Sequence, residues 1–309
     1  MNKLKKNFTI ILLFIFIFIL FKYNYILNTS VVDAVNLWLT KVFPSLFIMF
    51  ILNDIIINTN ILNNVVTLIN PIFNAIFNTS GSSSQAFLLS LFSGTPTSAF
   101  IIKEMLAKNT ITSEDANKLI AFTYFSNPLF LYNILTLSFN KFITIKIILI
   151  HYLTNIIIGL IFRNKKNNYL QSTIYENNTH NKIFPLIPNA IKKSVDTLIM
   201  ILGTITFYMI ITNLITNIFN LSPIIDIFTK GLLEITQSLN ILNDLNTTSI
   251  IKEIIAISII SFGGLSIHSQ VLSLISDTNI SYKNFFIARL LHGIISAAAY
   301  FFISCHIIS

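Results

Sequence analysis

The sequence predicts an all-α polytopic membrane protein, about seven to nine membrane segments in two inverted-topology halves with broken or re-entrant helices. Three observations lead there. Hydrophobic residues make up 54% of the chain and charged ones only 10%, against about a quarter charged in soluble domains. Apolar runs of membrane-spanning length recur along the chain. Three of them are interrupted by glycine, proline and polar residues: at Ser93-Gly94-Thr95-Pro96-Thr97-Ser98, at Ser126-Asn127-Pro128, and from Ser261 to Gln270 around Gly263-Gly264. Gly and Pro are the poorest helix formers. In hydrocarbon a broken helix survives only where its freed N–H and C=O groups meet protein or a water-filled cavity. Several such breaks in one small membrane protein point to a transporter site.

The elements can be taken in order. Phe8–Phe21 is an apolar span behind Lys3, Lys5 and Lys6, and no small-x-small pattern follows it, so residues 1–30 read as an uncleaved anchor. Residues 31–162 form a first half. It holds a crossing at Val31–Ile57 containing Pro44, an interfacial or hairpin helix at 61–77, and a loop at Gly81–Ser84. Next comes a pair at 84–107 that the Ser-Gly-Thr-Pro break divides, leaving neither part long enough to span, so it reads as re-entrant. Thr112-Ser113-Glu114-Asp115 is a helix start, hydroxyl caps followed by acids. A crossing at Ile120–Phe139, broken at Asn127-Pro128, and a plain crossing at Thr144–Phe162 complete the half. Residues 163–193 are rich in Asn, Lys and Thr and read as a cytoplasmic linker. The second half, 194–309, has a crossing at 194–219 and a segment at 223–243 that either re-enters or crosses. The broken span 250–275 and a last span at 285–308 follow.

Charge supports this order. With 84–107 and 223–243 each entering and leaving on one side, fourteen of the 20 Lys and Arg residues fall at cytoplasmic ends and five on the far side, with Lys41 inside a span. Basic residues orient membrane proteins in this way, so the net charge of +8 does not call for nucleic acid. Each half then runs crossing, re-entrant pair, broken crossing and plain crossing, from opposite sides. Each also opens near an acid, Asp33 and Asp196. The single cysteine, Cys305, excludes an internal disulfide and a Cys-based metal site. No P-loop, His-Glu-x-x-His, Gly-x-Ser-x-Gly or His pair of metal-ligand spacing is present. No enzyme activity, metal or cofactor is therefore expected.

Several stretches match a known pattern, in order. They are Val42-Phe43-Pro44-Ser45-Leu46-Phe47, Ser93-Gly94-Thr95-Pro96, Ser126-Asn127-Pro128-Leu129-Phe130, His151-Tyr152, Leu233-Glu234-Ile235-Thr236, Ser261 to Gln270, and Ala288-Arg289-Leu290-Leu291-His292. Together they resemble the sporulation integral membrane protein YlbJ family, related to the gate or nucleoside-recognition domain of nucleoside transporters. The resemblance implies a carrier in endospore formation, moving dipicolinate from the mother cell across the outer forespore membrane. Relatives usually carry a second Gly and then a Lys where this chain has Ser98 and Phe100. A cationic role there would pass to Lys103 or to backbone dipoles.

Dipicolinate is a flat pyridine with two carboxylates, so its site needs anion donors and an apolar slot. Half-helix N-termini at the breaks offer backbone N–H groups. The candidate substrate-binding residues are Ser93, Gly94, Thr95, Ser98, Ser126, Asn127, Ser261, Gly263, Gly264, Ser266, His268 and Gln270, with Phe125 and Phe262 to pack on the ring. The plain alternative for each hydroxyl is a bond to its own helix, and for His268 a bond within the bundle. Glu234 is the candidate for a coupling ion or proton. Arg289, near the end of the last span, reads as a snorkelling anchor. The expected partners are a small anionic substrate and the lipid bilayer, with a homo-oligomer left open. Two other readings stand beside the dipicolinate carrier: a nucleoside-like small-molecule carrier, and a non-transporting membrane scaffold of spore envelope assembly whose linker recruits a partner.

Overall fold

A computed structural model describes residues 3–59, 61–163 and 183–308. Residues 164–182, most of the expected linker, lie outside the described residues, and with them any partner-recruiting role. Among the described residues the chain is helical throughout, with no strand. Five stretches are long and apolar enough to cross a membrane: Asn24–Thr59, Lys141–Ile161, Ile183–Phe219, Ser249–Ile275 and Tyr282–Cys305.

Helix α1 (Lys3–Lys22) leads into α2 (Asn24–Leu37), which continues through a turn of π-helix at Trp38–Val42 into α3 (Phe43–Thr59). Pro44 causes that turn. It has no N–H for the Thr40 carbonyl, and the Phe43 N–H reaches back to the Trp38 carbonyl instead. Helix α4 (Asn63–Phe77) ends at Asn78 in the left-handed conformation. Helices α5 (Ser83–Ser93) and α6 (Thr97–Ala107) form the expected hairpin. Its two ends lie together, since the Ser82 N–H donates to the Thr110 carbonyl at 3.1 Å. Each leg has 11 residues, a rise of about 16 Å, about half the hydrocarbon thickness.

The predicted helix start is realised in α7 (Ser113–Phe122), where the Thr112 hydroxyl accepts the Asp115 N–H. The chain breaks over 123–127 and resumes as α8 (Pro128–Leu135), with Pro128 at the first turn and Asn127 as its cap. Helix α9 (Lys141–Ile161) is unbroken. Helix α10 (Ile183–Phe219) runs 37 residues and begins inside the stretch read as linker. The segment at 223–243 is a second hairpin, α11 (Pro223–Leu233) and α12 (Ile235–Asn240), pinned by the Ser238 hydroxyl on the Ile227 carbonyl at 2.9 Å. Then come α13 (Ser249–Phe262), a break at Gly263, α14 (Gly264–Ile275) and α15 (Tyr282–Ile308).

Polar ties between helices fix their directions. Helix α10 runs antiparallel to α2 and α3: Asn213 donates to Ser30 at 2.8 Å, Trp38 to the Leu198 carbonyl at 3.0 Å, and Lys193 to Asp54 at 3.0 Å. Helix α15 runs antiparallel to both α9 and α13, with Thr154 and Ser296 hydroxyls 2.7 Å apart and Tyr300 donating to Glu253 at 2.6 Å. The cross-helix ion pairs gather at one end, the end the sequence assigns to the cytoplasm. Lys193 bridges Asp54 and Glu104, and Lys103 meets Asp277 at 2.8 Å. That lysine holds the exposed Asp277 carboxyl below its ordinary range. Arg163 donates to the Ala75 carbonyl at 2.9 Å, and Lys118 to Asn78 at 2.7 Å, at the same end.

Gly94 shows how tightly the first hairpin tip is seated. Its φ is +73°, and a Cβ there would lie 2.4 Å from the Asn127 backbone nitrogen. Gly94→Ala is therefore expected to destabilise the protein by more than the ~1–3 kcal/mol of a strained backbone alone, read as a lower unfolding midpoint in detergent. Gly203→Ala is the control. Nothing lies within 4 Å of its Cβ position, so it should be neutral or slightly stabilising, by up to ~1 kcal/mol.

Candidate substrate site

Each hairpin tip sits on a helix break. The Thr95 N–H, at the tip between α5 and α6, donates to the Phe125 carbonyl in the first break at 2.7 Å. The tip between α11 and α12 meets the second break, where a Cβ on Gly264 would lie 3.0 Å from Ile235 and 3.2 Å from the Gly231 carbonyl. The two breaks then meet each other. The buried Tyr124 hydroxyl donates to the Ile260 carbonyl at 3.2 Å, and His151 on α9 touches both. A backbone N–H can only donate, so Ser126 N–H fixes His151 Nε2 as acceptor at 3.2 Å. Its Nδ1–H then faces the Ser261 hydroxyl at 3.0 Å.

Where these parts converge lies a cavity of about 60 Å³. Its polar lining is Ser45, Thr95, Ser126, Asn127, Glu234, Thr236 and Gln270. Val42, Leu46, Pro96, Phe130, Ile201, Ile205, Ile235 and Ile267 supply the apolar walls. Of the sequence candidates, the structure brings together here Thr95, Ser126, Asn127, Gln270 and Glu234. Ser45, Thr236 and Phe130 were missed, although all three belong to motifs quoted for the family resemblance.

Glu234 is buried at the tip of the second hairpin. It caps α12, accepting the Thr236 N–H at 2.9 Å, the Gln237 N–H at 3.3 Å and the Thr236 hydroxyl. The pattern Glu-x-Thr-Gln after a break is the signal that could have found this cap. Asn127 caps α8 in the same way, its Oδ1 accepting from Leu129 and Phe130 at 3.0 and 3.1 Å. The N–H groups at these two N-termini are thus engaged by the chain's own caps, whereas the free donors expected from the sequence belong to the breaks at 94–98 and 263–266.

The remaining candidates lie behind the cavity wall. Ser93 accepts from Asn53 at 2.6 Å and donates to the Leu89 carbonyl at 2.7 Å. The Ser98 hydroxyl lies 3.3 Å from that of Thr95. Gly94 packs on Asn127, and Ser261 is held by His151. Ser266 accepts a long bond from Gln270 at 3.4 Å. The Gly263-Gly264 pair does not line the cavity. Gly263 has φ +94°, and a Cβ there would lie 2.3 Å from the Tyr124 hydroxyl, so these glycines serve close packing at this spot. His268 is held within the bundle, its Nε2 donating to the Phe262 carbonyl at 3.1 Å and its Nδ1 facing the Tyr282 hydroxyl at 2.8 Å. Lys103 pairs with Asp277 at the end of the bundle where the cross-helix ion pairs gather and does not reach the cavity.

Arg289 corrects the sequence reading most sharply. It is fully buried rather than snorkelling. Its Nη2 donates to the Ala121 carbonyl at 2.6 Å and to Asn155 Oδ1 at 2.9 Å, and its Nη1 to His292 Nδ1 at 2.7 Å. The guanidinium lies 4.2 Å from the centre of the Tyr124 ring. Asn155 in turn donates to the carbonyls of Phe122 and Tyr124 at 2.7 and 2.8 Å. Arg289 and Asn155 therefore satisfy the carbonyls freed at the C-terminal end of α7, where the helix dipole favours a cation. Asn155→Leu leaves two buried carbonyls without their donor, at a cost of about 1–3 kcal/mol each. The expected result is a clear fall in the unfolding midpoint of the purified protein, with Asn155→Gln losing less.

Over 303 residues the chain is 29% identical to the sporulation integral membrane protein YlbJ of Bacillus subtilis (strain 168), the match covering 85% of this chain and 74% of that protein. No family model and no solved structure matches the chain. The likeness supports the YlbJ family of sporulation integral membrane proteins.

Proposed function

We propose that this protein is a carrier of small organic anions acting in sporulation, and that its substrate is dipicolinate, moved from the mother cell across the outer forespore membrane. The observation that carries the reading is the convergence of two hairpin tips and two helix breaks on one cavity. A membrane scaffold has no need of polar groups gathered in mid-bundle, where each costs free energy unless satisfied.

The order and direction of the elements support an inverted repeat. In the first half a long crossing (α2–α3) is followed by a hairpin, a broken crossing (α7–α8) and a plain one (α9). In the second, α10, a hairpin, α13–α14 and α15 follow the same order from the opposite end. Such repeats work by rocking about a central site. The central cavity has room for a few ordered waters but not for a pyridine dicarboxylate, so the hairpin tips must part to admit substrate. Clefts of about 320 and 360 Å³ flank it on the side away from the cross-helix ion pairs. The Lys193–Asp54–Glu104 and Lys103–Asp277 pairs close the cytoplasmic side. Alternating access requires those pairs to break and re-form.

Charge supplies the coupling. The cavity lining carries one acid, Glu234, and no Lys or Arg. Two like charges ~4 Å apart repel by about 4 kcal/mol at an effective dielectric of about 20. A dianion therefore enters only when Glu234 is protonated or accompanied by a cation.

Proteoliposomes are expected to accumulate labelled dipicolinate, and Gln270→Ala to lower kcat/KM about ten- to a hundredfold, the worth of one hydrogen bond to a charged group. Glu234→Gln keeps an acceptor for the α12 cap. It should transport without the pH dependence of the wild type, measured as initial rate between pH 5 and 8. Folded protein in sealed vesicles that takes up no dipicolinate would favour the scaffold.

A further inference from the structure

The cleft of about 320 Å³ beside the central cavity shares Ser45 and Phe130 with it. Its walls include Leu37, Pro44, Leu129 and Ile134, and its polar groups are Thr40, Lys41, Ser45 and Asn133. The hydroxyls are committed to their own helix: Thr40 donates to the Asn36 carbonyl at 2.7 Å, and Ser45 to the Lys41 carbonyl at 2.8 Å. Two donors remain. Lys41 enters none of the ion pairs among the described residues, and the Asn133 amide none of the hydrogen bonds. No acid lines the cleft.

A lysine in the middle of the Asn24–Thr59 span is costly unless it faces water or an anion. The local backbone bears on this. Lys41 lies in the π-helical turn that Pro44 forces on the chain, and such turns recur at functional sites. An unpaired ammonium and an amide donor over apolar walls match a carboxylate borne on a flat or apolar body.

We infer that this cleft is a second anion site, in which Lys41 and Asn133 hold one carboxylate of the substrate on the far side of the central cavity, with Ser45 and Phe130 forming the passage between the two. The inference rests on the carrier reading for its substrate class, but the site itself is tested by binding alone. A bound lipid phosphate would satisfy the same ammonium, and the experiment separates the two anions.

Dipicolinate is titrated calorimetrically into wild type, Lys41→Gln, Lys41→Arg and Asn133→Ala, purified in uncharged detergent. Lys41→Gln should weaken binding about tenfold or more, Asn133→Ala less, and Lys41→Arg should retain it. Wild-type affinity should fall as salt is raised, and that of Lys41→Gln should be flatter. The unfolding midpoint of each variant shows whether it is folded. Equal affinity in folded wild type and Lys41→Gln overturns the site, and so does a wild type that binds no dipicolinate. A Lys41-dependent stabilisation by phosphatidylglycerol with no Lys41 effect on dipicolinate also overturns it, in favour of a lipid. Lys41-dependent binding in a protein that takes up no dipicolinate into vesicles supports this site and counts against the carrier reading alone.

Discussion

Arg289 at the C-terminal end of α7 is the contact on which the arrangement of the breaks depends. A guanidinium buried in a membrane bundle is expensive, and here its partners are the Ala121 carbonyl, Asn155, His292 and the face of Tyr124. These are groups that the interruption of α7 itself makes available. With Asn155 covering the Phe122 and Tyr124 carbonyls, the chain can leave the helix at 123–127 without orphaned acceptors. That lets Phe125 offer its carbonyl to the first hairpin tip and Ser126 its N–H to His151.

The second break depends on the first. Tyr124, held against Arg289, fills the space that Gly263 leaves, and His151 spans from Ser126 to Ser261. One chain of contacts, from α15 through α9 and the first break to the second, sets the spacing at which the hairpin tips face each other. The cavity is what that spacing leaves. Its polar groups come from elements far apart in the chain, from Ser45 on α3 to Gln270 on α14, so any shift of these helices against one another changes it directly. The covering caps, Asn127 on α8 and Glu234 on α12, leave Gln270, Thr95 and Ser126 as side chains at the wall.

Much of this was legible in the sequence, because helix breaking is a local property. Gly94-Thr95-Pro96, Asn127-Pro128 and Gly263-Gly264 interrupt helices by their own backbone chemistry, and the structure breaks at each. The cap at Thr112 was legible for the same reason. What failed were inferences about what surrounds a residue. Arg289 looked like an anchor from its distance to a span end, but its depth is decided by α7 and α9, far away in sequence. The double glycine looked like an anion nest because nothing local announces that Tyr124 occupies the space. His151, not His268, is the histidine that joins the breaks. The start of α10 at Ile183 was missed because Pro185 and Pro188 argue against a helix there, and Lys192-Lys193 separate the stretch from the apolar run that follows.

The central claim, that the cavity between tips and breaks receives the substrate, is tested most directly by protection. Ser45 lines it, and Ser45→Cys changes one atom. With Cys305, exposed in the native chain, replaced by Ser, that thiol is the only one present. The rate at which a membrane-impermeant maleimide labels it is then measured with and without dipicolinate. The account predicts labelling from the far side, slowed severalfold by dipicolinate in a saturable way. Labelling at one unchanged rate at every dipicolinate concentration, in protein shown to transport it, would contradict the account.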